Sequence, residues 1–525
     1  MIKNKLLLIF NTIPLAPIFF ASAFILSLFF QNIGEVTYNK LILPLLVTIF
    51  LTMSLSYFLR WFLKSCSKGD IYTSVSIILF FSYSGVISIA NNFFLFKNHI
   101  DFGKNYLLIV IWLGFLIGTF IFIRQAKKGF LKLSRLLKII GLIVVLMFGI
   151  QIIHYQLMQE IHPPASSDLK LPILKTIDTP PDIYYIIPDS YTSSGNLSTY
   201  FSYDNSAFIT YLKNKGFYVA ENSTSNYPTT LLSLSSSLNM EYLDYLSVFK
   251  NSSNQSLADP LIKNNNVLKL LRTKGYRYYQ VGSWWRSTQS NPLADENFTI
   301  QRDNRLEIDD FVYTILKSSM VDPLLDKYMP EKIVGESEKD KRAIILYQFS
   351  TIPEVAKLPG PKFIFIHIIA PHAPYVFNKD CRFTSYANNW NRPEEQNFID
   401  QVNCINQKLE NSIETILKES SQPPVILLQA DEGTKFIADK LKPKEAWKNA
   451  SQELLKMKFP ILSAYYLPGV SKKRLYPSIT PVNSFRMIFN LYFSADMPLL
   501  PDKNYIYLDN KHLYDFKEVT NEVKN

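Results

Sequence analysis

Hydrophobic residues are concentrated in the first third of the chain. Five apolar runs there are each long enough to cross a bilayer as a helix, at residues 6–30, 41–63, 71–96, 106–123 and 137–158. The first run is longer than the apolar core of an ordinary signal peptide, has no clear cleavage site after it, and is followed by four more runs. The pattern therefore predicts a retained transmembrane domain of five helices over residues 1–159.

After this region the pattern changes to short β-rich apolar runs that alternate with helical periodicity. Strands are predicted at residues 184–187, 276–281, 363–369, 425–428 and 461–466, and helices at 205–215, 260–274, 397–418 and 484–493. Alternating strands and helices indicate βαβ units, so the fold class is α/β with a mostly parallel central sheet. Residues 160–181 are rich in Pro, Ser and Lys and predict a linker, which leaves 182–525 as the outer domain.

The net charge of +11 is explained by the short loops between the apolar runs. Lys3 and Lys5 precede the first run, Arg60, Lys64 and Lys68 follow the second, and five more basic residues lie between the fourth and the fifth. The positive-inside rule places these three segments in the cytoplasm. An odd number of spans then puts the C-terminal domain outside the cytoplasm, in a multi-pass protein of the cytoplasmic membrane with a cytoplasmic N-terminus. Because the charge serves as a topology signal, no nucleic-acid partner is expected.

The three cysteines are too few for a disulfide framework. Cys66 lies near the predicted cytoplasmic end of the second span, whereas Cys381 and Cys404 both lie in the outer domain. These two can pair in an oxidising compartment, but their spacing does not decide whether they do. None has a second Cys or His at ligand spacing, so a metal-binding role is not predicted for them.

Polar groups follow the ends of three predicted strands. Asp189 follows the first strand, His372 follows the third between two prolines, and Asp431, Glu432 and Gly433 follow the fourth. Ligands of open α/β sheets bind outside the carboxyl ends of the strands. Carboxylates at two such ends are hard oxygen ligands for one divalent cation, such as Mn²⁺, Mg²⁺ or Ca²⁺. Taken alone, the Asp-Glu-Gly segment is more typical of a solvated turn than of a metal site.

Two threonines begin a predicted helix. Pro228 ends an extended segment, and Leu231 and Leu234 open a run with helical spacing, so Thr229 and Thr230 lie at the helix N-terminus. A hydroxyl there can cap the helix, which local sequence alone favours. It can also act as a nucleophile toward a phosphoryl or sulfuryl group held by the free N–H groups.

Two other features have a structural and a functional interpretation. His367 lies within a predicted strand, and we interpret it as a core histidine satisfied by hydrogen bonding. Trp284, Trp285 and Arg286 end another strand and can line a pocket for a sugar or a headgroup. Packing in the core or at an interface explains the tryptophans equally well.

In this order and spacing, the segments PDIYYIIPDSYT, YPTTLLSLSSSLNM, IAPHAPYVF and QADEG resemble the sulfatase-like branch of the alkaline phosphatase superfamily. The resemblance extends over most of residues 180–505. Five spans followed by such a domain resemble the layout of lipoteichoic acid synthase and of the phosphoethanolamine transferases. The resemblance implies an alkaline-phosphatase-like α/β domain that binds a single divalent metal ion.

The resemblance also implies roles for individual residues. Asp189 and Asp431 are implied as metal ligands, Thr230 as both ligand and nucleophile, and His372 as the group that faces the transferring phosphate. Thr229 is the fallback nucleophile.

One position departs from the family pattern. Glu432 stands where the family usually has the histidine of Asp-His-Gly. Glutamate can still bind a hard cation, so we include Glu432 among the expected ligands. Two interpretations of Glu432 are therefore kept: a metal site with a changed metal preference, or a former metal site that no longer functions.

The activity implied by the resemblance is transfer of a phospholipid headgroup, of the phosphoglycerol or phosphoethanolamine type, through a phospho-threonine intermediate. The membrane lipid is the expected donor, and an envelope glycan or a lipid-linked saccharide is the expected acceptor. The Cys/Ser-x-Pro-x-Arg signature of formylglycine sulfatases is not present, which disfavours ordinary sulfate-ester hydrolysis. The alternatives are a hydrolase that uses the same site with water and a catalytically silent membrane protein that binds lipid or a partner.

Overall fold

The computed structural model describes residues 13–33, 36, 38–92, 107–126, 130–160, 171–300, 310–328, 330–385, 392–434 and 447–524. These residues belong to two compact units. The first comprises Met1–Ile161 and Asn304–Ile333, and the second comprises His162–Asp303 and Val334–Asn525.

The described part of the N-terminal region contains one helix for each predicted apolar run. They are α1 (Leu15–Gln31), α2 (Tyr38–Phe62), α3 (Cys66–Asn92), α4 (Leu107–Gln125) and α5 (Leu131–Glu160). Two of them, α2 and α5, are long and apolar enough to cross a membrane, whereas α1 and α4 contain shorter apolar helices. Residues 6–12 of the first predicted run and residues 93–96 of the third lie outside the described residues.

A buried ion pair joins α2 to α3. Arg60 Nε donates to Asp70 Oδ1 at 2.6 Å, and Arg60 Nη2 donates to Asp70 Oδ2 at 2.8 Å. The Ser56 hydroxyl donates to Asp70 Oδ1 at 3.0 Å. A Cβ atom on Gly69 would lie 2.7 Å from the backbone nitrogen of Arg60, so glycine permits the two helices to approach this closely.

The elements beyond residue 171 alternate between helix and strand. The helices are α6 (Ser194–Phe201), α7 (Ser206–Asn214), α8 (Thr230–Asn239), α9 (Asp259–Lys263), α10 (Asn266–Arg272), α11 (Arg286–Gln289), α12 (Asp310–Lys317), α13 (Asp322–Tyr328), α14 (Pro330–Lys357), α15 (Glu394–Glu419), α16 (Gln452–Lys458), α17 (Pro481–Phe493) and α18 (Thr520–Lys524). The strands are β1 (Ile183–Pro188), β2 (Tyr218–Val219), β3 (Arg277–Val281), β4 (Glu296–Phe298), β5 (Lys362–Ile368), β6 (Val425–Gln429), β7 (Ser463–Tyr466), β8 (Tyr505–Tyr507) and β9 (Phe516–Glu518).

Seven strands form the central sheet, in the order β2-β7-β6-β1-β5-β3-β4. The strands from β6 to β4 run parallel, whereas β7 is antiparallel to β6 and β2 is antiparallel to β7. This arrangement confirms the prediction of an α/β fold with a mostly parallel sheet. The short strands β8 and β9 form a separate antiparallel pair.

The central strand β1 is buried on both faces, as strands of parallel sheets usually are. Tyr185 and Ile187 contribute to one hydrophobic core, and Tyr184 and Ile186 contribute to the core on the other side of the sheet. This alternation follows from the two-residue period of a strand. Both cores hold the carboxyl end of β1 in place, and the candidate site lies at that end.

The predicted helices agree with the structure except in one place. The predicted helix 260–274 is two helices, α9 and α10, which meet at Asn265. The Asn265 side chain accepts a hydrogen bond from the backbone N–H of Leu268 at 2.8 Å and donates one to the carbonyl of Ile262 at 2.8 Å. Asparagine is a preferred N-cap residue, so this side chain starts a new helix where the apolar periodicity alone suggests continuation.

Two helices from the middle of the sequence, α12 and α13, fall within the first unit. Phe311 and Ile315 of α12 are buried in the same hydrophobic cluster as Phe29 of α1, and the rings of Phe29 and Phe311 lie 6.1 Å apart. The backbone N–H of Met320 donates to the carbonyl of Phe80 at 2.8 Å. The predicted layout placed all of residues 182–525 in the outer domain, whereas the structure groups Asn304–Ile333 with the N-terminal helices.

The cysteines differ in state. Cys381 and Cys404 form a disulfide within the second unit, and Cys66 is free and exposed. Cys381 and Cys404 therefore pair with each other, which their spacing in the sequence could not decide.

Candidate active site

Asp189 is fixed by the backbone at the carboxyl end of β1. Its N–H donates to the carbonyl of Ile368 at 2.9 Å, and its carbonyl accepts from the N–H of His372 at 3.1 Å. The side chain is almost fully buried, with 3% of the residue exposed. These contacts join Asp189, which follows β1, to the end of β5 and to His372, which follows β5.

Ser190 links the carboxylates of the site and was not predicted from the sequence. Its φ of 62° lies in the left-handed region. Its N–H donates to Asp431 Oδ1 at 3.3 Å. Its hydroxyl lies 2.9 Å from Asp189 Oδ1 and 3.3 Å from Glu432 Oε1, and donates to one or the other.

Thr230 begins α8, as the pattern of leucines predicted. Its hydroxyl acts on the Asp431 carboxylate and lowers the pKa of that group. The Ser233 hydroxyl, one turn later, donates to the backbone carbonyl of Asp431 at 2.6 Å. Thr229 occupies the N-cap position in an extended conformation, and its side chain makes no capping hydrogen bond to the described residues. Of the two threonines, Thr230 is the one that lowers the pKa of Asp431.

Asp431 follows β6 and is buried. Burial, together with repulsion from Asp189 and Glu432, raises the pKa of Asp431 to about 7. Attraction to His367 and the hydrogen bond from Thr230 act in the opposite direction. Negative groups are therefore crowded here in a low-dielectric environment, which a bound cation would stabilise.

His367 lies within β5, next to β1, and is fully buried. Its Nδ1 atom lies 2.9 Å from the Thr288 hydroxyl, and its Nε2 atom lies 3.5 Å from Asp189 Oδ2. Nε2 has no hydrogen-bond partner among the described residues. The interpretation of a satisfied core histidine thus accounts for only one of the two ring nitrogens.

Asp189, His367 and Asp431 form a group whose ligand atoms all lie within 4.8 Å of one another. Two carboxylates, an imidazole and the adjacent Thr230 hydroxyl are a donor set suited to a divalent transition metal. The unsatisfied Nε2 atom of His367 fits such an ion, because a buried polar atom without a partner is costly. His367 was not among the predicted ligands, although its place near the end of a strand was a usable signal.

Glu432 is next to this group but is not one of its three members. Its Oε1 atom lies 3.1 Å from Lys458 Nζ, and both side chains are fully buried. Lys458 Nζ also donates to the carbonyl of Gly433 at 2.8 Å. A Cβ atom on Gly433 would lie 2.3 Å from the carbonyl oxygen of Lys458, so the glycine of the Asp-Glu-Gly segment is required by this close approach.

His372 lies beside the site through its backbone, and its side chain is half-buried. Its Nδ1 atom contacts the carbonyl of Ala373, and its own carbonyl accepts from Gln401 Nε2 at 2.9 Å. The imidazole is not part of the group formed by Asp189, His367 and Asp431.

The segment after β3 borders His367. Trp284, Trp285 and Arg286 are half-buried there. The Trp285 ring packs edge-on against the His367 ring, with centroids 5.9 Å apart. The following short helix α11 carries Thr288, which contacts His367 Nδ1. Of the three predicted pocket residues, Trp285 is thus a direct neighbour of the histidine.

Comparison with solved structures finds similar α/β domains of low sequence identity. The C-terminal periplasmic domain of EcEptC from Escherichia coli is 13% identical, with 66% of this chain and 96% of that chain covered and a TM-score of 0.43. The corresponding domain of phosphoethanolamine transferase EptC from Campylobacter jejuni is 10% identical, covering 65% and 98%, with a TM-score of 0.36. BT1596, a 2-O GAG sulfatase, is 12% identical, covering 61% and 72%, with a TM-score of 0.40. Among curated proteins, none matches this chain.

The family model described as Sulfatase matches residues 181–459, more than half of the 525-residue chain. The matched range includes Asp189, Thr230, His367 and Asp431. This protein therefore belongs to the sulfatase family, within the alkaline phosphatase superfamily of enzymes.

Proposed function

We propose that this protein is a membrane-anchored, metal-dependent transferase that moves the phospho-headgroup of a membrane lipid to a hydroxyl of an envelope glycan or a lipid-linked saccharide. The headgroup is of the phosphoglycerol or phosphoethanolamine type. The observation that carries the proposal is the buried group of Asp189, His367 and Asp431, together with Thr230 at the N-terminus of α8, whose hydroxyl lowers the pKa of Asp431. A hydroxyl so placed is suited to nucleophilic attack on phosphorus.

Asp189, Asp431, His367 and Thr230 would hold the divalent cation. When bound, the cation neutralises charge on the phosphate under attack and on the carboxylates around it. In this chain the Thr230 oxygen forms the new bond to phosphorus, and the bond from phosphorus to the glycerol oxygen of the lipid breaks. The hydroxyl proton passes toward the Asp431 carboxylate. The acceptor oxygen then bonds to the phosphorus of the phospho-threonine, the bond from phosphorus to the Thr230 oxygen breaks, and the acceptor's proton returns to Thr230.

In this proposal, His372 and the segment after β3 contact the substrate. His372 gives a proton to the leaving glycerol oxygen, a task suited to imidazole near neutral pH. Trp284 and Trp285 line the sugar or headgroup pocket, and Arg286 binds phosphate oxygens through its planar guanidinium. All three are half-buried at the border of the site.

The N-terminal helices and the disulfide support the proposed location. Helices α2 and α5 have the length and composition of membrane spans. The Cys381–Cys404 disulfide is typical of oxidising compartments outside the cytoplasm. With a cytoplasmic N-terminus, the second unit faces the outer leaflet of the cytoplasmic membrane, where its lipid donor is present.

The test uses the full chain in lipid nanodiscs with Mn²⁺ and a phospholipid that carries a fluorescent headgroup. Intact mass is measured for the wild type, for Thr230→Ala and for the matched control Thr229→Ala. We expect a headgroup-sized adduct on the wild type and on Thr229→Ala, and none on Thr230→Ala. An adduct that persists in Thr230→Ala and disappears in Thr229→Ala would move the nucleophile by one residue.

The same reaction separates a transferase from the alternatives. Fluorescence that appears on an added glycan acceptor supports transfer, whereas release of free headgroup with no labelled acceptor supports a hydrolase. A wild-type protein that forms no adduct and releases no headgroup would contradict both activities, and would favour the silent lipid-binding protein.

A further inference from the structure

We propose that Glu432 is the partner of Lys458 and not a metal ligand, and that His367 supplies the nitrogen ligand from β5. The inference rests on the proposed function, because it concerns the same cation. It assigns the nitrogen donor of the site to a residue within a strand and not to the segment after β6.

The first observation is the position of Glu432. Its Oε1 atom lies between Lys458 Nζ, at 3.1 Å, and the Ser190 hydroxyl, at 3.3 Å. Lys458 is fixed in turn, because its ammonium donates to the Gly433 carbonyl at 2.8 Å and its backbone carbonyl accepts from the Gly433 N–H at 3.0 Å. The end of α16 and the segment after β6 are therefore bound together at two points. A buried ammonium keeps a carboxylate beside it, because separating the two would leave an uncompensated charge.

The second observation is the charge that remains for the metal. The Lys458 ammonium lies 3.1 Å from Glu432 Oε1, and Glu432 is not in the group formed by Asp189, His367 and Asp431. The charge of Glu432 is therefore offset within the protein, which leaves the two aspartates as the carboxylates that face a cation.

The third observation is the orientation of His367. The Thr288 hydroxyl at 2.9 Å occupies Nδ1, and Gln348 Nε2 donates to the His367 backbone carbonyl at 2.8 Å. A partner on one ring nitrogen fixes the tautomer and the orientation of a ligating histidine. Nε2 is then the nitrogen directed at Asp189, 3.5 Å away. His372, five residues later, is not in the group with the two aspartates.

The test is pulsed electron paramagnetic resonance of bound Mn²⁺, which detects nitrogen nuclei directly bonded to the ion. The full chain is purified in detergent without a histidine tag and loaded with one equivalent of Mn²⁺. We expect ¹⁴N coupling in the wild type, replaced by ¹⁵N coupling when the protein is grown with ¹⁵N-histidine. The coupling is lost in His367→Gln and retained in His372→Gln and in Glu432→Gln. The isotope experiment needs no substitution, so it shows whether a histidine nitrogen is bonded to Mn²⁺ even if His367→Gln does not fold.

The outcomes distinguish this inference from the proposed function. Mn²⁺ that binds without nitrogen coupling, or coupling that survives in a folded His367→Gln, overturns the assignment of His367 and leaves the transferase proposal standing. Loss of Mn²⁺ binding in a Glu432→Gln protein that is still folded at the temperature of the measurement overturns the assignment of Glu432. A wild type that binds no Mn²⁺, Mg²⁺, Ca²⁺ or Zn²⁺ overturns the metal-dependent mechanism, and this inference with it.

Discussion

Ser190 connects the carboxylates of the candidate site through a backbone conformation that few residue types adopt. A φ of 62° puts it in the left-handed region, where a side chain costs roughly 1–2 kcal/mol relative to the ordinary right-handed conformation. The conformation aims its N–H at Asp431 and its hydroxyl at Asp189 and Glu432. Strain of this kind persists where the surrounding structure holds it in place, and it is often found at functional sites.

Substitution of Ser190 separates the contribution of its hydroxyl from the cost of its backbone conformation. Ser190→Ala and Ser190→Gly both lose the hydroxyl, so we expect cation affinity to fall about tenfold in both, which corresponds to about 1.4 kcal/mol. Only Ser190→Gly relieves the backbone strain, so we expect its free energy of unfolding to exceed that of Ser190→Ala by about 1 kcal/mol. Calorimetric titration with Mn²⁺ and chemical denaturation of the full chain measure the two quantities. Equal stability of the two variants would show that the left-handed conformation carries no strain.

The Glu432–Lys458 pair makes a prediction about stability. Lys458→Met or Glu432→Gln leaves one buried charge without its partner, and we expect each to lower the free energy of unfolding by about 3–5 kcal/mol. In the double variant neither charge is buried alone, so its cost should be smaller than that of either single variant. Thermal or chemical unfolding of all four proteins gives the coupling between the two sites. Additive costs would mean that the two side chains do not act as a pair.

The sequence predicted those site residues that follow strands or begin a helix. Asp189, Thr230 and Asp431 were predicted in this way, and the two aspartates lie in one buried group in the structure. Lys458 was not found, because it lies at the end of a short helix with no motif around it, and only the folded chain shows it buried beside Glu432. His367 was assigned to the core because burial in a strand has the same sequence pattern for a packing residue and for a ligand.

At the level of elements, apolar patterns identified the five inner strands of the central sheet but not its two edge strands, β2 and β4. The long runs of β1, β5 and β6 were evident because both faces of each strand are buried. The two-residue strand β2 and the three-residue strand β4 are too short to show a period. The hydrophobic pattern could not predict that β7 is antiparallel to β6, because strand direction depends on the connection between the strands and not on the residues within them.

Asn265 gives a prediction at this scale, because it separates α9 from α10. Its side chain bonds to the Leu268 N–H and to the Ile262 carbonyl, so Asn265→Ala removes a cap and leaves a buried carbonyl without that donor. We expect a loss of about 1–2 kcal/mol in the free energy of unfolding, with no change in Mn²⁺ affinity. The neighbouring exposed Asn264 provides the matched control, and Asn264→Ala should unfold like the wild type. A loss of Mn²⁺ affinity in Asn265→Ala would show that α10 also supports the site.

For the whole molecule, the order of the sequence is not the order of the compact units. A linear division at residues 160–181 follows the change in composition, but Asn304–Ile333 joins the N-terminal helices. The amphipathic helix α12 shows why, since Phe311 and Ile315 bury against residues of α1 and α3. Periodicity could predict that α12 has an apolar face, but it could not say which hydrophobic surface that face would meet.

The predicted topology is tested by the free cysteine of the chain. The positive-inside rule places Cys66, exposed at the start of α3, on the cytoplasmic side and the second unit on the opposite side. In sealed right-side-out membrane vesicles, an impermeant maleimide should therefore leave Cys66 unlabelled until the vesicles are permeabilised. The exposed position of Ser290 in the second unit provides the matched control, and Ser290→Cys in a Cys66→Ser background should be labelled without permeabilisation. Labelling of Ser290→Cys only after permeabilisation would place the second unit in the cytoplasm, where Thr230 could not reach lipid headgroups of the outer leaflet.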